Sequence, residues 1–341
     1  VKKIAPLIIL VIVLGFLCFK LYPKTAEHKE ILLPITSNLN EITPEPSGPA
    51  PKKKLLQYVI LSFDGSESLN MWQATRNFAK EMKAQNKPVN FTYYVSGVYF
   101  LSTKDKNNYL PPQHKAGQSA IGFSRSADDV SKRINEMNSA INEGHEIASH
   151  LNGHWDGSQW TEADWKSEID QFKKFVPLSN LNGIRAPLLA RNKYFYKAIS
   201  TEGFKYDSSS VGKMGNWPQK NEYGTWEIPL VTINIPGVNK NTLSMDYNEY
   251  LVQTNAKDIL KKGTTAWNTA FNQILAADEN YFNKNYSGNR SPVIIGNHFS
   301  LWNDGLYWES MKAFAQKVCG QPDVRCTTFS NLVDYLNKVQ Q

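Results

Sequence analysis

Among the six histidines of the chain, two stand in the phrase His150-Leu151-Asn152-Gly153-His154, directly after the apolar run Glu146-Ile147-Ala148-Ser149. Two imidazoles in a turn at a strand end can face one divalent ion and leave positions open for a carboxylate and water. Taken alone, a pair at this spacing is more often two solvent-facing or core histidines. Its company changes the reading. Asp64 ends the run LLQYVILSF, Arg185 follows Gly183-Ile184, and His298 closes an apolar run that begins at Pro292. A carboxylate that takes a proton and a histidine that gives one are the usual carriers of a hydrolysis. Zinc, with cobalt or nickel as substitutes, suits imidazole donors.

Such groups meet only if the elements before them run side by side. LLQYVILSF is continuously apolar and β-branched, as a buried parallel strand should be. A helical pattern runs from Ser68 to Lys83, Val89 to Val95 reads as the next strand, and helical spacing of Val130, Ile134, Met137 and Ile141 predicts a helix from Asp128 to Asn142. Glu143-Gly144 ends that helix before the strand that carries His150. Thr161 and Asp164 stand at capping-box distance ahead of Trp165, Ile169 and Phe172. Short strands are expected at Gly183-Ile184, from Trp226 to Ile235, and from Pro292 to Gly296. Strand and helix in alternation predict an α/β fold, a distorted (β/α) barrel of about seven strands in one domain. Reactive groups of such barrels gather at the carboxyl ends of the strands.

In order and spacing, the phrases Ser62-Phe63-Asp64-Gly65-Ser66, Gly144 to His154, Arg185-Ala186-Pro187-Leu188, Tyr206-Asp207-Ser208-Ser209, Trp226-Glu227-Ile228-Pro229 and Ile295-Gly296-Asn297-His298 resemble the motifs of the polysaccharide deacetylases, carbohydrate esterase family four, and especially their chitin deacetylase-like branch. The resemblance spans Leu56 to Leu336. It implies a metal held by His150 and His154, Asp64 as base, His298 as acid, and Arg185 orienting Asp64. A backbone N–H near Leu188 would help hold the oxyanion. Asp207 is expected to orient a polar partner at the substrate side, while Trp155 and Trp302, together with Trp160 and Trp217, are the aromatic residues near the motifs that could stack on sugar rings.

One position departs from the family. Its first motif ends in Asp-Asp-Gly, the second Asp being a metal ligand, and here Gly65 stands in that place. Three accounts follow: Asp64 serves as the ligand; another carboxylate such as Asp156 or Glu67 substitutes; or the protein binds glycan without turnover. The expected activity is metal-dependent removal of acetyl groups from N-acetylated amino sugars of a cell-envelope or chitin-like polymer. The alternative is a non-catalytic carbohydrate-binding relative.

Composition fits a globular domain. Hydrophobic residues make up 41% and aromatics 12%, which excludes a disordered chain, and the formal charge of +7 owes five charges to Lys2, Lys3, Lys52, Lys53 and Lys54, away from the motifs. Nucleic-acid binding is therefore not expected. Lys2 and Lys3 precede the apolar run Ile4 to Phe19, so residues 1–22 read as a signal anchor or signal peptide, and Cys18 as a membrane cysteine. Residues 23–54, rich in Pro, Ser, Thr, Glu and Lys, read as a linker, and residues 55–341 as the barrel domain. The chain is thus expected to lie outside the cytoplasm, tethered to the membrane or secreted, with a glycan polymer as partner. In that oxidising setting Cys319 and Cys326 are expected to pair.

Overall fold

The computed structural model describes residues 55–339. The anchor, Cys18 and the linker lie outside the described residues, and no described helix is long and apolar enough to cross a membrane. In chain order the elements are β1 (Gln57–Gly65), α1 (Leu69–Ala84), β2 (Thr92–Val95), α2 (Ala127–Asn142), β3 (Glu146–Ser149), α3 (Glu162–Phe175), β4 (Gly183–Ile184), α4 (Lys193–Thr201) and β5 (Tyr206–Asp207). There follow β6 (Val211–Lys213), β7 (Gln219–Lys220), β8 (Trp226–Glu227), β9 (Leu230–Ile235), β10 (Lys240–Leu243), α5 (Asp246–Thr254), α6 (Thr265–Ser287), β11 (Val293–His298), α7 (Trp302–Val318), β12 (Val324–Cys326) and α8 (Phe329–Val339).

The strands line up as β11-β1-β2-β3-β4-β5-β8-β7, and all neighbours up to β8 are parallel. Seven parallel strands in a curled sheet are the distorted barrel expected from the alternation of patterns. Among the described residues no pairing returns β7 to β11, so the sheet curls without closing. β12 pairs with Gln57 to Val59, below the stretch Ser62 to Gly65 that β2 covers, and a bridge from Cys326 to Val89 puts it on the β2 side. Cys319, at the end of α7, is disulfide-bonded to Cys326 in β12.

Alternation along β1 decides what faces where. Val59, Leu61 and Phe63 join the cluster of Trp72, Phe78, Phe91 and Tyr93 that packs helices on the sheet, whereas Ile60 faces Tyr94, Tyr206, Trp226 and Phe329 inside the curl. Ser62 and Asp64 share the interior face with Ile60. Full burial of side chains as large as these stabilises by about 1.5–3 kcal/mol each, so the packing fixes the face on which Asp64 must emerge.

Local signals hold with two corrections. The Thr161 hydroxyl accepts the Asp164 N–H and the Asp164 carboxylate accepts the Thr161 N–H, which completes the capping box. In α2, Ile141 is exposed; the buried side is Arg133, Met137 and Ala140. Arg133 is buried because its guanidinium has carbonyls to satisfy, those of Ser66, Glu67 and Tyr99. The strand expected from Trp226 to Ile235 is two strands in two sheets: β8 ends the parallel path, and β9 pairs with β6 and β10 in a three-stranded sheet. Pro229, which has no N–H for a ladder, stands at the break.

Candidate active site

Asp64 and His298 are Cα partners across β1 and β11, so the first and the last motif lie side by side. Two strands over from β1, β3 and β4 pair Ser149 with Ile184, which brings His150 and Arg185 together just beyond the ladder. Arg185 is wholly buried and donates from Nη1 to Asp64 Oδ1 at 2.7 Å and to Ser62 Oγ at 3.1 Å. Its other donors reach the Ser208 carbonyl and hydroxyl at 3.1 and 3.0 Å, and its plane lies 4.2 Å from the Tyr94 ring centroid. Burial is the largest single influence on the Asp64 carboxyl and pushes its pKa up, but Arg185, His150 and His298 together outweigh it, and the net shift is below the ordinary value. Asp64 is a buried carboxylate that stays ionised.

His150 hands its Nδ1 proton to the Arg185 carbonyl at 2.8 Å, which leaves Nε2 with its lone pair. Burial lowers its pKa, so the ring is neutral. The His154 ring stands 5.2 Å from it, centroid to centroid, at 63°. Crowding, then His150 and His298, lower the His154 pKa as well. Two neutral imidazoles are sound donors for a borderline cation. Among the described residues, however, no three His, Cys, Asp or Glu side chains are grouped as a metal ion needs. Asp156 is exposed and accepts the Ser158 N–H within its own turn, and Glu67 is exposed. Gly65 has φ +102°, and a Cβ built on it meets nothing within 4 Å. The residues present therefore fit a divalent ion as a two-imidazole pair, with the place of the third donor open.

His298 shows what the sequence reading missed. Asp246, the first residue of α5, accepts the His298 Nδ1 proton at 2.6 Å and the His298 backbone N–H at 2.7 Å. That pair of bonds fixes the ring and turns Nε2 away from Asp246. The only hint in the sequence is an Asp at the start of a helical stretch. Trp302 lies 5.4 Å from the His298 ring, with Tyr250 stacked on it at 5.1 Å and Tyr247 edge-on at 5.2 Å.

The third motif leaves one backbone donor unused. Ser209 Oγ takes the Ala186 N–H, while Leu189 and Ala190 donate to Ala186 and Pro187, so the Leu188 N–H has no acceptor among the described residues. Leu188 is 42% exposed with φ 57°, an arrangement that a bulky residue rarely takes. Asp207 is fully buried, so it does not itself face solvent, but it holds a polar partner. It accepts from the Ser209 backbone N–H at 3.0 Å and from its hydroxyl, and burial pushes its pKa up to about 6. Of the tryptophans, Trp155 has His114 stacked on it at 3.7 Å, Trp160 is buried against Trp165, and Trp217 donates to the Asn289 carbonyl. Of these four, Trp302 has its ring against His298.

No protein-family model and no curated protein matches the chain. Among solved structures, it is similar to a Mycobacterium smegmatis protein assigned as a polysaccharide deacetylase, with 17% identity, 87% of this chain and 96% of that chain covered, and a TM-score of 0.53. It is also similar to a family 4 carbohydrate esterase from Streptomyces lividans, at 15% identity, coverage of 80% and 91%, and a TM-score of 0.43. A family 4 pseudoenzyme from Bacillus anthracis matches at 6% identity, coverage of 82% and 66%, and a TM-score of 0.43. At these scores only the first likeness bears on architecture: the described residues have the fold of the Mycobacterium smegmatis protein.

Proposed function

We propose that the domain removes acetyl groups from N-acetylated amino sugars of a cell-envelope or chitin-like polysaccharide. The observation that carries this reading is the pair Asp64 and His298, adjacent across β1 and β11, each held by an opposite charge, Arg185 and Asp246. Asp64, kept ionised, takes a proton from water as its oxygen attacks the amide carbonyl. His298, with Nε2 turned away from Asp246, gives a proton to the sugar nitrogen as the C–N bond breaks, so that acetate and a free amine leave. The Leu188 N–H offers a hydrogen bond to the oxygen that gains charge on the way. Trp302 gives a sugar ring a face next to His298. His150 and His154 would hold the divalent ion, zinc with cobalt or nickel as substitutes, and a bound ion would polarise the amide oxygen.

The same reading places the domain outside the cytoplasm, tethered by the segment before residue 55. It is supported by the apolar run Ile4 to Phe19 and by the disulfide Cys319–Cys326. A second reading, glycan binding without turnover, draws on Gly65 and the open third donor position.

Acetate release from chitin oligosaccharides and from purified peptidoglycan, measured with added zinc, tests the proposal. Activity should fall by a factor of about 100 or more in Asp64→Asn and in His298→Ala. Bound zinc with no acetate from any glycan would reject turnover and leave the binding reading.

A further inference from the structure

The turn that carries both histidines has its backbone in places that cost energy. Leu151 and His154 lie at φ 55° and 58°, in the left-handed region that β-carbons disfavour, by about 1–2 kcal/mol per residue. Two side chains from elsewhere hold the residues between them. Glu168, wholly buried on α3, accepts the Asn152 N–H on Oε1 at 3.0 Å, and its own carbonyl accepts Asn152 Nδ2 at 2.7 Å. Tyr109, from the segment between β2 and α2, sets its hydroxyl 2.9 and 3.2 Å from the two Glu168 oxygens and accepts the Gly153 N–H at 3.1 Å. The two central amides of the His-x-x-x-His phrase are thus both taken up by one buried pair.

Space around the turn is fitted to this pair. A Cβ on Gly153 would stand 2.6 Å from the Tyr109 hydroxyl, and one on Gly97 would stand 2.1 Å from Asn152 Oδ1. The segment that supplies Tyr109 also donates the Ala120 N–H to the Gly153 carbonyl at 2.9 Å. Both polar groups of the Gly153 peptide are therefore fixed from outside the turn.

We infer that Tyr109 and Glu168 are positioning residues that hold His154 against His150. The inference rests on the reading of the two histidines as one metal-binding pair. Neither side chain touches the reacting groups; they act through the peptides of Asn152 and Gly153. The segment from Leu101 to Ser124 then belongs to the site as its outer support.

Tyr109→Phe keeps the ring and removes only the hydroxyl. Zinc titration of the whole domain by calorimetry should show affinity lowered about tenfold, the scale of losing a partner that orients a ligand. Tyr281→Phe is the control: that hydroxyl is also buried, donating to Pro292 at 3.2 Å, and its loss should lower the melting temperature comparably while zinc affinity stays within about twofold. Unchanged zinc affinity in Tyr109→Phe, or an equal loss in Tyr281→Phe, overturns the inference. If the wild-type domain takes up no zinc, the metal reading fails instead, and the inference is decided by NMR. In that case the His154 ring and Gly153 amide signals should move in Tyr109→Phe while the His298 ring signal stays; a still His154 signal overturns it.

Discussion

Two carboxylates, Asp64 buried and Glu146 half-buried, sit at opposite ends of the sheet and carry different protonation tendencies. Asp64, at the carboxyl end of β1, has a guanidinium at 2.7 Å and is held ionised. Glu146, at the amino end of β3, is surrounded by neutral groups, the Thr92, Tyr206 and Ser330 hydroxyls and the Ser330 N–H. Burial pushes its pKa up in spite of those bonds. At Glu146 burial outweighs the hydrogen bonds to the carboxylate, whereas at Asp64 nearby positive charge adds to them and outweighs burial. Backbone geometry divides the same way. Where α1, α2 and α4 run out toward the strand amino ends, the left-handed residues are Asn86, Gly144 and Gly203, types that accept it. At the carboxyl ends, beside Gly65, they include Ser66, Leu151, His154, Leu188 and Leu189, which do not. Strain is concentrated where the reactive groups are.

The charge half of this comparison gives the largest expected effect. Arg185→Ala leaves Asp64 buried without its partner and should cost about 3–5 kcal/mol in urea unfolding. Glu146→Gln, which keeps the shape and part of the hydrogen bonding of a carboxyl whose pKa burial raises, should cost about 1 kcal/mol. Equal losses would erase the distinction. Glu168 sharpens it, because it lies behind the histidine turn without a cation, and burial raises its pKa from 4.5 to about 7. A raised carboxyl stabilises the fold fully below its unfolded pKa and loses that contribution as pH rises through the folded one. Stability of the wild type relative to Glu168→Gln should therefore fall between pH 4.5 and 7, by up to roughly 3 kcal/mol. Parallel unfolding curves at pH 5 and pH 8 check this, and a constant difference would remove Glu168 from the uncharged class. The backbone half predicts the smallest effects. Gly144→Ala, at φ +88° with Asn90 Nδ2 3.1 Å from the new Cβ, should cost about 1 kcal/mol. Leu188→Gly, at an exposed and strained position, should be neutral or stabilising by about 0.5 kcal/mol. A clear loss in Leu188→Gly would mean that its side chain, not its backbone, matters there.

Much of this was legible in the chain. Apolar runs that stop at Asp64, His150 and His298 announce strands and their reactive ends, because a buried parallel strand has few ways to be written. The capping box at Thr161 is equally local. What stayed hidden depends on distant contacts. Asp246 meets His298 across 52 residues and Glu168 meets Tyr109 across 59, and neither acid stands in a motif. Asp207 shows the reverse, a motif residue whose carboxylate is enclosed with Ser209. Ile141 has helical spacing yet faces solvent, since Arg133 takes the buried side to satisfy three carbonyls.

The placement of β1 also sets an order of assembly. This earliest described strand takes its neighbours from β2 and from β11 and β12, so that Asp64 lies beside His298 only when the last third of the chain has arrived. Long-range parallel pairing of this kind slows folding, because loop closure must come before any contact rewards it. Until residues 293–298 dock, one long edge of β1 is bare and its apolar face is open to other chains. The pair Asp64 and His298 is thus complete only when both ends of the described chain have met, and a chain emerging from synthesis carries Asp64 well before His298.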